Sequence, residues 1–153
     1  MQNNSPILFT QDGYNKLVKE QEDLKGIRKL AVEDLSKARA MGDLSENGYY
    51  KSARAKLSSV DHRIRQVKYL LQYGKVKTIS NNGTIDIGSN VILKTGNGEK
   101  TYSIVGGFES NPLEGRLSHI SPLGKALIGK KAGDTVIIQT PSGTSQYVVT
   151  SVE

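Results

Sequence analysis

Asp43 and Glu46 stand three residues apart in the stretch Gly42-Asp43-Leu44-Ser45-Glu46-Asn47, between two long runs of helix-forming residues. Paired carboxylates at this spacing can present oxygens to a hard cation. Mg²⁺ typically takes one or two protein carboxylates and fills the rest of its shell with water and substrate phosphates. Two carboxylates alone leave that shell incomplete, and the next acid along the chain is Asp61, far down the second run. If the pair binds metal usefully, another macromolecule must complete the site, which makes this chain a donor of ligands rather than a self-sufficient enzyme. The same spacing also fits a capping box, and acids are favoured near a helix N-terminus by its dipole. Spacing alone favours the caps.

Immediately after the pair the charge changes sign. Residues 49–77 carry Lys51, Arg54, Lys56, Arg63, Arg65, Lys68, Lys75 and Lys77 against Asp61 alone, whereas 11–42 and 81–153 are each close to neutral. The whole net charge of +6 therefore lies in the first half. Such asymmetry points to an anionic partner, with DNA or RNA foremost, or else to a solvated helix face.

The elements that would position these residues are legible. From Gln11 to Met41 the chain has no proline and is rich in Lys, Glu, Leu and Ala, all good helix formers. Leu17, Leu24, Ile27, Ala31, Leu35 and Ala38 recur at helical spacing, Thr10 can cap the start, and Gly42 falls where a stop is expected. In the second run Tyr50, Ala53, Leu57, Val60, Ile64, Val67 and Leu71 alternate at spacings of three and four, a coiled-coil seam of about three heptads that Gly74 ends. So short a link makes the helices antiparallel neighbours, each roughly 40–45 Å long. The expected N-terminal domain, 1–79, is an antiparallel coiled-coil hairpin with an acidic tip at 42–47, and residues 1–6 are a loose start.

After residue 75 the texture changes. Segments 76–79, 84–87, 91–94, 102–105, 135–140 and 147–152 read as strands, with turns at Asn82-Gly83, Gly96-Asn97-Gly98 and Ser142-Gly143. One short helix is predicted after Ser121-Pro122, ending before Gly129. The second domain, 80–153, is thus a small twisted sheet with a helix packed on it, and the whole chain is α+β. Without cysteine, disulfides and Cys-type zinc sites are excluded, and His62 and His119 alone cannot build a zinc site or a His-based triad of the usual kind. His62 reads as solvated and His119 as packed near the Ser121 helix. No apolar stretch approaches a membrane span and no signal peptide is visible, so a soluble, cytoplasmic protein is expected.

Gly42-Asp43-Leu44-Ser45-Glu46-Asn47, followed by Tyr50 and a basic helix, resembles the tip of the GreA/GreB transcript cleavage factors of bacterial RNA polymerase. A second stretch, Ser121-Pro122-Leu123-Gly124-Lys125-Ala126-Leu127-Ile128-Gly129-Lys130-Lys131-Ala132-Gly133-Asp134, resembles the C-terminal signature of the same family. The resemblance implies an FKBP-like C-terminal domain that docks at the rim of the polymerase secondary channel while the coiled coil enters it. It makes Asp43 and Glu46 the catalytic acids, sharing a Mg²⁺ ion with the polymerase, whose own centre cuts backtracked RNA. It places Ser45 and Asn47 as supports of the tip, and Lys51, Arg54 and Lys56 where the family contacts the 3′ segment of nascent RNA. The implied protein is a monomer with no enzymatic activity of its own.

One departure stands out. After Asn47 the family pattern has a small residue and then an acid before the Tyr, whereas this chain has Gly48 and Tyr49. The Tyr49 ring could stack on a base or pack against Met41, and packing is the expectation. The loss of an acid there keeps open a non-cleaving regulator that occupies the same channel. Prolyl isomerisation, which an FKBP-like fold would suggest, needs an aromatic pocket, and Tyr102, Phe108 and Tyr147 are the only aromatics of 81–153. For Lys125, Lys130 and Lys131, contact with a partner and favourable placement at a helix end are equally good readings.

Overall fold

The computed structural model describes residues 5–42, 47–79 and 82–153. The chain forms two compact units, one of Asn15–Tyr73 and the other of Met1–Tyr14 with Gly74–Glu153.

In the first unit, α1 (Gln11–Arg39) and α2 (Gly48–Tyr73) supply the two expected helices. Their direction follows from their cross-links: Glu20 meets Arg63, Arg28 meets Asp61, and Ala38 meets Asn47. As one residue number rises the partner's falls, so the helices are antiparallel. Most of the burial lies on the expected seam, with Leu70 of α2, 2% exposed, buried one residue off it. Leu17, Leu24, Ala31, Leu35 and Ala38 of α1 are buried, as are Ala53, Val60 and Val67 of α2, with Tyr50, Leu57, Ile64 and Leu71 half-buried beside them. The small residues Ala38 and Ala53 form one cluster with Leu35, against which Tyr50 and Leu57 pack. Ile27 departs from expectation: it is 43% exposed. It follows Leu24 by three and precedes Ala31 by four, and the seam steps directly from Leu24 to Ala31, as a heptad allows. Gly42 takes φ of +104°, a conformation that ends the helical run and that an L side chain resists.

The second unit contains two sheets. In the smaller, β1 (Ile7–Phe9) pairs in parallel with β2 (Gly74–Val76). The sequence suggests no strand before α1, and of the expected strand 76–79 only Val76 belongs to β2. The larger sheet comprises β3 (Asn90–Thr95), β4 (Gly98–Val105), β5 (Arg116–Ser118), β6 (Thr135–Thr140) and β7 (Gly143–Val152), in the order β5-β4-β3-β7-β6. All neighbours are antiparallel except β4 and β5. The six-residue helix α3 (Pro122–Leu127) lays Leu123, Ala126 and Leu127 on a core of Ile85, Val91, Leu93, Ile104, Val136 and Val149. This is the α+β arrangement expected from sequence. Segment 84–87, expected as a strand, makes a single bridge, Thr84 to Lys131, while Ile85 and Ile87 are fully buried. Its alternation reflects burial; no neighbouring strand completes a ladder.

A buried carboxylate ties this unit's N-terminal segment to the rest of it. Glu109 is 9% exposed and accepts from the Thr10 hydroxyl, the Thr10 N–H (2.9 Å) and the Gly106 N–H (3.0 Å). Thr10 in turn caps α1, its Oγ1 accepting the Gly13 N–H at 3.0 Å. Phe9 stacks on Phe108 with centroids 6.4 Å apart.

Candidate functional site

Asp43, Ser45 and Glu46 lie outside the described residues; what can be placed is the frame on either side of them. Asn47 closes α2 at its start. Its Oδ1 accepts the Tyr50 N–H at 3.2 Å, satisfying an otherwise unpaired donor of the first turn. Its Nδ2 reaches across to the carbonyl of Ala38, the last residue but one of α1, at 3.3 Å. One side chain thus caps one helix and pins it to the other, where the acid-bearing link departs and returns. Among the described residues no three His, Cys, Asp or Glu side chains converge as a metal-binding group. Asp43 and Glu46, the residues expected to hold Mg²⁺, are not among those described; carboxylate oxygens are hard donors of the kind that ion takes.

Lys51, Arg54 and Lys56 are all exposed on α2. At ~100° per residue, Lys51 and Arg54 share a face and Lys56 points away. Arg54 lines an open groove of about 320 Å³ along the two helices, together with Leu35, Arg39, Leu57, Ser58, Asp61 and Arg65. Lys51 and Lys56 are not among its lining residues. The groove gathers three guanidiniums, Arg39, Arg54 and Arg65, around one carboxylate, Asp61, which is already held by Arg28 at 2.6 Å. Guanidinium forks facing open solvent suit phosphate oxygens. Sequence reasoning missed Arg39 and Arg65. The signal for Arg65 was present, since Arg54, Ser58, Asp61 and Arg65 follow at steps of four, three and four. Arg39 enters through the register of the hairpin, which no single helix reveals.

Lower on the hairpin, Arg63 is committed to structure. Its Nη2 and Nε donate to both oxygens of Glu20, at 2.8 and 2.5 Å, and Nη1 donates to Gln66 at 2.7 Å. The hydrogen bonding to Glu20 raises the guanidinium's already high pKa, with partial burial pulling the other way. Near the link Tyr49 is 45% exposed and Met41 69%, so any packing between them leaves both largely open to solvent.

The stretch 121–134 is built into the second unit's framework. The Ser121 hydroxyl caps α3 by accepting the Gly124 N–H at 3.0 Å. A Cβ on Gly124 would collide with the Ser118 carbonyl, so the helix can approach β5 only with glycine there. Leu127 is fully buried, and Gly129 donates to the Ile85 carbonyl at 2.8 Å. Asp134 closes its own turn by accepting the Lys131 N–H at 2.8 Å. Lys125, Lys130 and Lys131 are exposed. His119 lies just before α3, its Nδ1 3.3 Å from the Val105 carbonyl, and His62 is exposed.

Among the described residues no helix is long and apolar enough to cross a membrane. Comparison with known proteins is consistent along the whole chain. The family model "Transcription elongation factor, N-terminal" matches residues 7–76, and "Transcription elongation factor, GreA/GreB, C-term" matches 80–153. A transcription elongation factor GreA from Bacillus anthracis is 42% identical over 152 residues, covering 95% of each chain. One from Chloroflexus aurantiacus is 37% identical, covering 96% of this chain and 97% of its own. A crystal structure of the GreA factor homolog 1 of Thermus thermophilus aligns with 97% of this chain and 99% of its own, at 23% identity and a TM-score of 0.47. On the two family matches and the identity of these relatives over nearly its full length, the chain belongs to the GreA/GreB family of transcription elongation factors.

Proposed function

We propose that this elongation factor stimulates the Mg²⁺-dependent cleavage of backtracked nascent RNA by bacterial RNA polymerase, rescuing arrested complexes in the cytoplasm. The hairpin enters the secondary channel as a monomer, and the second unit docks outside. The observation that carries the reading is the pairing of chemistries on one hairpin: two carboxylates in the link, and a three-arginine groove on the helices behind it. A phosphodiester needs both, cations to hold its phosphates and carboxylates to complete a metal shell.

The roles follow from residue chemistry. Asp43 and Glu46 are ligands for Mg²⁺ and acceptors that orient the attacking water. When bound, the ion would stabilise charge on the attacking and leaving oxygens of the displacement. Asn47 holds the start of α2 against the end of α1, so the link is presented from a fixed base. Arg54 with Arg39 and Arg65, and Lys51 beside them, grip phosphates of the extruded RNA, which positions the strand without reading its sequence. RNA rather than DNA is the nucleic acid in this reading. The bond is broken in the polymerase's own centre, so the chain is a stimulator and not a nuclease.

The test is a stalled, backtracked elongation complex carrying 3′-labelled RNA, incubated with Mg²⁺ and the protein. Release of labelled fragments above the polymerase's intrinsic rate is expected. Binding without acceleration would instead assign the chain to the non-cleaving occupants of the channel, the reading that Tyr49 in place of an acid favours.

A further inference from the structure

The face of α2 beyond the groove carries a feature that neither the link acids nor the groove requires. Tyr69 and Tyr73, one turn apart, are 55% and 52% exposed, and their ring centroids lie 4.8 Å apart at an interplanar angle of 46°. Large aromatic rings left half in water offer stacking surface. Arg65 stands one turn before Tyr69 on the same stripe and Lys68 flanks it, and both are exposed. The one acid of α2, Asp61, is taken by Arg28. Arg65 also lines the groove of Arg39 and Arg54, so one cation is shared between the groove and the stripe that carries the tyrosine pair.

We propose that Arg65, Lys68, Tyr69 and Tyr73 form a second contact for single-stranded RNA, in which bases stack on the tyrosines and the two cations hold the adjoining phosphates. Cations along a backbone track with interleaved aromatics are the general means of holding single strands without sequence preference. A duplex keeps its bases stacked internally and gains nothing from the rings. Tyr69 lies ~33 Å along α2 from Asn47 at ~1.5 Å per residue. In the reaction proposed above, on which the source of the RNA rests, the site would meet only a long extruded 3′ segment. It would thus favour deeply backtracked complexes over shallow ones.

The first test uses the full chain without polymerase: anisotropy of a labelled oligouridylate across a salt series. Tyr69→Ala and Tyr73→Ala should each weaken binding by about fivefold or more, the lower end of what one base–aromatic stack contributes. Tyr69→Phe and Tyr73→Phe, which keep the rings, should stay within about twofold. Arg65→Ala should lower the salt slope by about 0.7, as one phosphate contact on a single strand does. Unchanged oligouridylate binding in both alanine variants would overturn the site, and so would an equal loss for duplex DNA or for polyglutamate. Circular dichroism checks that the exposed substitutions leave the helices intact. The second test compares cleavage of long and short extruded segments by the Tyr69→Ala/Tyr73→Ala variant. A selective slowing of the long ones is expected, and wild-type rates on both would remove the extruded transcript as the ligand. If the wild-type chain itself fails to stimulate cleavage, the function proposed above falls while the free-RNA result stands by itself.

Discussion

The helical hairpin and the sheet-bearing unit use their distinctive residues in opposite ways. In the second unit several residues of the stretch that marks the family build the framework, while its lysines stay exposed. Gly124 lets a helix touch a strand, Leu127 fills the core, and Ser121 and Asp134 close turns. In the hairpin the interior is generic, a seam of Leu, Val and Ala, and Arg39, Arg54 and Arg65 lie outside it in the groove, on the helices that flank Asp43 and Glu46 in the sequence. A recognisable motif can therefore report architecture in one region and chemistry in the other. Only the burial of its side chains tells which.

That contrast can be broken by mutation. The largest stability effects should fall in the sheet-bearing unit. Leu127→Ala removes a fully buried side chain and should destabilise by about 3 kcal/mol, within the range for buried Leu. Gly124→Ala should cost up to about 3 kcal/mol, since the added methyl meets backbone rather than a movable side chain. Urea denaturation of each variant checks both values. Next, Glu109→Ala strips three donors of their shared acceptor. A loss of about 2 kcal/mol is expected from hydrogen bonds to a charged group, with faster amide exchange at Thr10 and Gly106.

The hairpin should be quieter. Asn47→Ala should cost about 1 kcal/mol, the usual worth of an N-cap, and should lower cleavage more than that stability loss explains, because the link loses its pin to Ala38. Arg63→Ala should cost below about 1 kcal/mol by thermal melting, since both partners are more than a third exposed. Should Arg63 prove as costly as Leu127, the contrast between the two regions would fail.

Much of this was legible beforehand, for definable reasons. The long helices announce themselves because a spacing of three and four sustained over many residues has one reading. The acid pair was visible through residue type, and Asp43 and Glu46 lie outside the described residues. Strand β1 was not legible: three apolar residues have no periodicity, and their partner, β2, lies on the far side of both helices in the sequence. The alternation at 84–87 was misleading because a buried extended segment and a paired strand look alike from one chain. Arg39 belongs to the groove only through hairpin register. The matching role of Glu109 was hidden because a buried carboxylate and a surface one are the same letter.

The central claim is that the link carboxylates act in chemistry and not in folding. Asp43→Asn tests it most directly, because Asn caps a helix about as well as Asp while removing the charge that a cation needs. With backtracked complexes and 3′-labelled RNA, the variant should bind polymerase and melt like the wild type, yet release no fragment above the intrinsic rate. Wild-type cleavage by Asp43→Asn would contradict the account and leave the pair as nothing more than helix caps.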